Sequence, residues 1–166
     1  MNPIQFCQQM SDEAYEQELN RERIIGVKTE YLFKWLTLLT TIFNIAVPII
    51  ATETSVDFEG TVFIILYALM MVFLLGAMVM VAAINFPRKI KRNPSGSEWM
   101  KRIQNHPEKY ETENDFIYQN ILCKDVIIEK MKKNNNRSVI FITIANCLLI
   151  AALVCMSIFL GYVIWG

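Results

Sequence analysis

Six cations fall within one short stretch, Arg88, Lys89, Lys91, Arg92, Lys101 and Arg102, and Glu98 is the one acid among them. Guanidinium and ammonium groups meet phosphate or carboxylate through charge-assisted hydrogen bonds. Trp99 and Tyr110 stand close by in the chain, and each offers a ring on which a flat base stacks. Asn93-Pro94-Ser95-Gly96 reads as a turn, which can fold residues 97–105 back toward the basic run. The same cations have a second use. They can set membrane topology and touch anionic headgroups, at about 1 kcal/mol per charge near the surface.

A different chemistry is open to Thr37, Thr40, Thr41 and Asn44, which share one helical face at i, i+3, i+4 and i+7. Pro48, four residues past Asn44, removes the donor that would meet the Asn44 carbonyl, so a kink is expected there. Thr143 and Asn146 are expected at a depth similar to Thr40 and Thr41. In lipid such groups either bond between helices, at roughly 0.6 kcal/mol per contact, and back to their own helix, or line a weakly polar pore built by several copies.

Catalytic chemistry has little to stand on. His106 is the single histidine, and no G-x-x-x-x-G-K, G-x-S-x-G or H-E-x-x-H pattern occurs. The four cysteines, Cys7, Cys123, Cys147 and Cys155, form no C-x-x-C pair, so neither a zinc site nor a disulfide framework is expected. The expectation is a protein that is not an enzyme and uses no metal or cofactor.

The elements carrying these residues follow from charge segregation. All sixteen Lys and Arg lie in residues 1–34 and 87–138. Three charge-free apolar runs, 35–52, 61–86 and 139–164, are each long enough for the roughly 18 residues that cross a bilayer as helix. The loop 53–60 carries Glu53, Asp57 and Glu59 without a basic residue. The basic bias therefore predicts a membrane protein with its N-terminus cytoplasmic and its C-terminus outside, which the resemblance given below places in an inner membrane. The fold class expected is an all-α membrane protein with three transmembrane helices and a helical cytoplasmic insertion between the second and third. No cleavable leader is expected, since the first 34 residues are polar.

Within the polar segments, residues 12–34 read as an amphipathic helix with Tyr15, Leu19, Ile24, Ile25, Tyr31 and Leu32 along one side. Ser97 is the expected cap of a helix ending at Asn105, and a longer helix is expected over 108–133. Its Ile117, Ile121, Ile128 and Met131 need a packing partner, either residues 12–34 or a second subunit. Asn134-Asn135-Asn136 are expected to form a joint. Ser157-x-x-x-Gly161, and Ala68, Gly76 and Ala83, read as close-packing faces, so a homo-oligomer embedded in lipid is expected, with no nucleic-acid polymer as partner.

Taken along its length, the chain resembles the small transmembrane effectors of bacterial antiphage cyclic-nucleotide signalling, of the Pycsar kind. The resemblance runs through Gly26-Val27-Lys28-Thr29-Glu30-Tyr31-Leu32 entering the first apolar run, the short acidic loop, the basic exit at Pro87–Arg92, and Tyr118-Gln119-Asn120-Ile121 before the third run. It covers most of the chain as layout rather than as a tight motif. It implies a cyclic-nucleotide ligand and a membrane-disrupting answer that halts the infected cell. A constitutive adaptor whose cytoplasmic helices dock a soluble partner is the rival reading.

Overall fold

The computed structural model describes residues 3–53, 61–85 and 94–165. Helix α1 runs Pro3–Glu53, α2 Thr61–Asn85, α3 Gly96–Asn105 and α4 Glu113–Trp165, with a short 3-10 turn at Pro107–Lys109. The described residues form helices and the short links between them, with no strand among them. They fall into two compact units, one within Met1–Ile25 and Pro87–Arg137, the other within Gly26–Phe86 and Ser138–Gly166.

Among the described residues, two stretches are long and apolar enough to cross a membrane, Ile64–Asn85 and Glu113–Gly161. Only 22% and 17% of their most apolar windows are buried. A core helix of a soluble protein hides most of such a window from water, so these flanks are left for lipid or for other protein. The first run, 35–52, lies within the unbroken α1, which continues past Pro48.

Helix boundaries depart from expectation for identifiable reasons. Ser95, not Ser97, caps α3: its Oγ accepts from the Glu98 N–H at 3.4 Å while Glu98 Oε2 accepts from the Ser95 N–H at 2.9 Å. That S-x-x-E box was present in the chain as Ser95-Gly96-Ser97-Glu98. The expected helix over 108–133 begins later, at Glu113. Thr112 and Asp115 cap it reciprocally, with the Asp115 N–H on Thr112 Oγ1 at 3.2 Å and the Thr112 N–H on Asp115 Oδ2 at 3.0 Å. No joint forms at Asn134–Asn136, because α4 is continuous there and Asn135 is buried at 2% exposure with bonded partners.

In the unit holding residues 1–25 and 87–137, α1 and α4 run parallel. Lys124 Nζ pairs with Asp12 Oδ1, and Ser11 Oγ donates to Asp125 Oδ1 at 3.4 Å. Asn135 Nδ2 donates to Glu18 Oε2 at 2.8 Å, and Arg21 Nη2 to Asn136 Oδ1 at 2.8 Å. The partners lie 112 to 117 positions apart, so contacts that advance along α1 also advance along α4. Of the apolar positions expected to need a partner, Met131 is buried and Ile117, Ile121 and Ile128 are half-buried.

The other unit gathers α1, α2 and α4 around Leu32, Leu36 and Phe43, Met70, Leu74, Ala77 and Val81, and Ala145, Ala152 and Cys155. On α4 the buried positions Lys124, Met131, Ser138, Ala145, Ala152 and Phe159 recur every seventh residue. A seven-residue spacing of buried positions marks the face that α4 turns to its neighbours within each unit.

Candidate functional site

Among the described residues, each unit has a concave surface that carries chemistry. The first is a cavity of about 330 Å³ walled by Pro94, Leu122, Cys123, Val126 and Ile127, with Arg102 and Lys130 at its edge. The local sequence explains how it forms. The capping box at Ser95 sets the direction of α3, and α3 then lays Trp99 against the start of α4. Trp99 meets Phe116 edge-on with ring centroids 5.3 Å apart, and Tyr110 lies 6.4 Å from both rings. One turn past Trp99, Arg102 stands with its guanidinium 5.2 Å from the Trp99 centroid and donates Nη1–H to Cys123 Sγ at 3.0 Å. A cation, a thiol and an aliphatic wall thus share one opening.

Of the cations singled out in the sequence, Arg102 is brought to this cavity and Lys101 is exposed beside it on α3. Arg88, Lys89, Lys91 and Arg92 lie outside the described residues. Lys130 and Cys123 were missed. Lys130 looked like one more charge in a Lys-rich stretch, and only the approach of α3 to α4 makes it a wall. Trp99 and Tyr110, expected as free stacking platforms, are instead packed into an aromatic cluster with Phe116.

The second surface is a hollow of about 470 Å³ lined by Lys28, Tyr31, Leu32, Trp35, Ile142, Asn146 and Leu149. It places Asn146 beside the charged approach to the first apolar run, rather than at the depth of Thr40 and Thr41. The register of two parallel helices decides this, and counting residues from the ends of each run could not. Tyr31 and Trp35 are 63% and 59% exposed here, while Leu32 is buried.

The polar groups of the apolar helices satisfy themselves. Thr37 Oγ1 donates to the Phe33 carbonyl at 2.9 Å, Thr40 Oγ1 to Leu36 at 2.8 Å and Thr41 Oγ1 to Thr37 at 2.9 Å. Asn44 Nδ2 donates to the Thr40 carbonyl at 2.9 Å, and Thr143 Oγ1 to Val139 at 3.0 Å. Thr37, Thr41, Asn44 and Thr143 are exposed on the protomer and Thr40 is half-buried. Each Thr keeps its hydroxyl oxygen as an acceptor toward whatever covers that surface. Bonding back to the i−4 carbonyl is how a helix carries Thr in an apolar setting at little cost.

The packing faces divide. Gly76 faces α4, where an added Cβ would meet Leu148 Cδ1 at 3.4 Å. Gly161 has nothing within 4 Å of such a Cβ, and Ser157 is exposed with its hydroxyl on the Leu153 carbonyl at 3.0 Å. Ala68 is exposed and Ala83 half-buried.

Among the described residues, electrostatic perturbation is resolved at one exposed pair. Glu30 Oε1 and Lys34 Nζ are 2.7 Å apart, and the hydrogen bond from Lys34 holds the Glu30 carboxyl below its ordinary range. Glu30 in turn holds the Lys34 ammonium above its own, again chiefly through that hydrogen bond.

Comparison with protein-family models, with curated proteins and with solved structures finds no match to this chain.

Proposed function

We propose that the protein is a non-enzymatic, oligomeric inner-membrane effector. Its apolar helices associate between copies and permeabilise the membrane when the cytoplasmic helical unit receives a signal. The three apolar runs act as spans, with the N-terminus inside and the C-terminus outside. The setting implied by the resemblance is antiphage defence by growth arrest.

One observation carries this reading. The apolar windows of α2 and α4 are about four-fifths unburied in the protomer, and one flank of α4 presents Thr143, Ser157 and Gly161 to the outside. Lipid matches apolar surface without driving association, so small and weakly polar residues on an open flank mark where a second copy packs. Lys28, Tyr31 and Trp35 support the placement, because a long cation and amphipathic rings anchor a helix at the headgroup level.

A constitutive adaptor is the second reading, and the self-satisfied hydroxyls of Thr37, Thr40 and Thr41 favour it. The two readings part on a Thr37→Val, Thr40→Val, Thr41→Val, Asn44→Leu variant. The effector reading expects a potential-sensitive dye to report collapse of membrane potential on overproduction of the natural chain, and loss of that collapse in the variant at equal expression. Full depolarisation by the variant removes the polar face from the mechanism. Intact potential with the natural chain ends the effector reading.

A further inference from the structure

The cavity between α3 and α4 has a chemical character that the proposed function leaves unused. Among the described residues its lining carries two cations, Arg102 and Lys130, and no acidic side chain. Among the described residues neither cation has a carboxylate partner. Arg102 spends one N–H on a thiol, the weakest acceptor available to it, and lies over the Trp99 ring. The wall beyond is aliphatic, formed by Leu122, Val126 and Ile127, of which Val126 is 54% exposed. Exposed aliphatic surface beside unpaired cations is complementary to one kind of molecule, an anion with an apolar body.

Size narrows the class. A volume of about 330 Å³ is near the lower end of ordinary ligand pockets, which suits a medium-length chain rather than a long acyl tail. A nucleobase would set its polar edges against Leu122, Val126 and Ile127, where it finds no donor or acceptor and loses its bonds to water.

We propose that this cavity binds a medium-chain acyl carboxylate, its charge met by Arg102 and Lys130 and its chain laid over Leu122, Val126 and Ile127. The ligand is the signal only if the proposed function holds, whereas its binding stands on the cavity alone. Cys123 on the wall supplies a built-in reporter, since an occupied cavity shields its thiol while the exposed Cys7 keeps reacting.

The test uses the full chain in nanodiscs, alkylated with a small maleimide in the presence of decanoate, 1-decanol or 3′,5′-cyclic AMP, with labelling at Cys123 and Cys7 read by mass spectrometry. Decanoate is expected to protect Cys123 and spare Cys7, while 1-decanol and cyclic AMP protect neither. Loss of one charge-assisted hydrogen bond predicts that Arg102→Met and Lys130→Met each raise the half-protecting decanoate concentration about tenfold. Lys133→Met should leave it unchanged. Val126→Trp, which fills the cavity without touching either cation, should abolish protection at unchanged helical content.

Equal protection by 1-decanol would reduce the site to a greasy patch and overturn the proposal. So would protection by cyclic AMP alone, or decanoate protection that survives the Arg102→Met, Lys130→Met double variant. Depolarisation is measured separately on the same variants. Binding without depolarisation counts against the effector reading alone, and depolarisation without binding counts against this site alone.

Discussion

The side-chain amide of Asn135 donates twice to Glu18, to the backbone carbonyl at 3.1 Å and to Oε2 at 2.8 Å. An amide at 2% exposure on the seam of two parallel helices is tolerated only because both bonds are made. It also resists sliding of α4 along α1, since a shift of one turn would bury the amide without partners. Asn135→Ala is expected to cost about 1–3 kcal/mol, the penalty for breaking satisfied buried bonds. Glu18→Ala should cost less, because the backbone half of the contact survives. Thermal unfolding followed by circular dichroism in mild detergent ranks the two, and the reverse order would show that the carboxylate carries the contact.

Lys124 pairs with Asp12 on the same seam, with the lysine side chain 11% exposed and the aspartate 44%. Partial exposure of the acid screens the pair, so its coupling is expected at about 1 kcal/mol rather than the several found for fully buried pairs. A double-mutant cycle of Asp12→Ala and Lys124→Met measures it. Each single change should destabilise, and the double should cost less than their sum. Strict additivity would mean that the contact contributes nothing to stability.

Gly161 and Gly76 should respond oppositely to bulk. A side chain at Gly161 has open space around it, whereas one at Gly76 reaches Leu148 at once. On the proposed assembly, Gly161→Leu is expected to keep the melting temperature and lower the particle mass in mild detergent. Gly76→Leu is expected to lower the melting temperature, with overpacking typically costing about 1–3 kcal/mol. Unaltered mass in Gly161→Leu would remove that flank from the assembly.

Asn120 is a local misfit. Its Oδ1 is buried without a hydrogen-bond partner among the described residues. An unmet buried acceptor destabilises, so Asn120→Leu is expected to hold or raise the melting temperature, by up to about 1 kcal/mol. A marked fall would reveal a partner for that oxygen.

Dependence on pH should be slight for the Glu30–Lys34 pair and confined to the acid and alkaline extremes. The folded Glu30 carboxyl titrates below its unfolded value, so its contribution is present above the ordinary carboxylate range and fades as pH falls through the lowered value. The folded Lys34 ammonium titrates above its unfolded value, so its share is present below the ordinary lysine range and is lost as pH rises through the raised value. Between those limits, stability attributable to the pair should be flat. Glu30→Gln should remove the acid-side fade in a pH series of melting temperatures.

Helical class and the division into polar and apolar stretches follow from the chain alone, because charge-free runs of this length have few other homes and Lys and Arg are confined to two segments. The capping box Ser95-Gly96-Ser97-Glu98 stood in the chain as well, but the cap was expected two residues late, at Ser97, because two serines compete for the position. The packing seam was not legible in the chain. Where nearly every side chain is apolar, hydropathy has no contrast with which to mark a face, and the buried line on α4 is carried by Ser138, Ala145 and Ala152 beside Lys124. Small residues let backbones approach, which is a property of the facing helix as much as of the residue itself. Register behaved the same way. Asn146 and Thr40 look equally deep when residues are counted from the ends of their runs, yet Asn146 opens beside Lys28 and Trp35. The cavity at Arg102 also depended on tertiary structure, since Arg102, Cys123 and Lys130 come together only when α3 folds back on α4. Composition and spacing act along one chain, whereas a seam, a register and a cavity exist only between two of its surfaces.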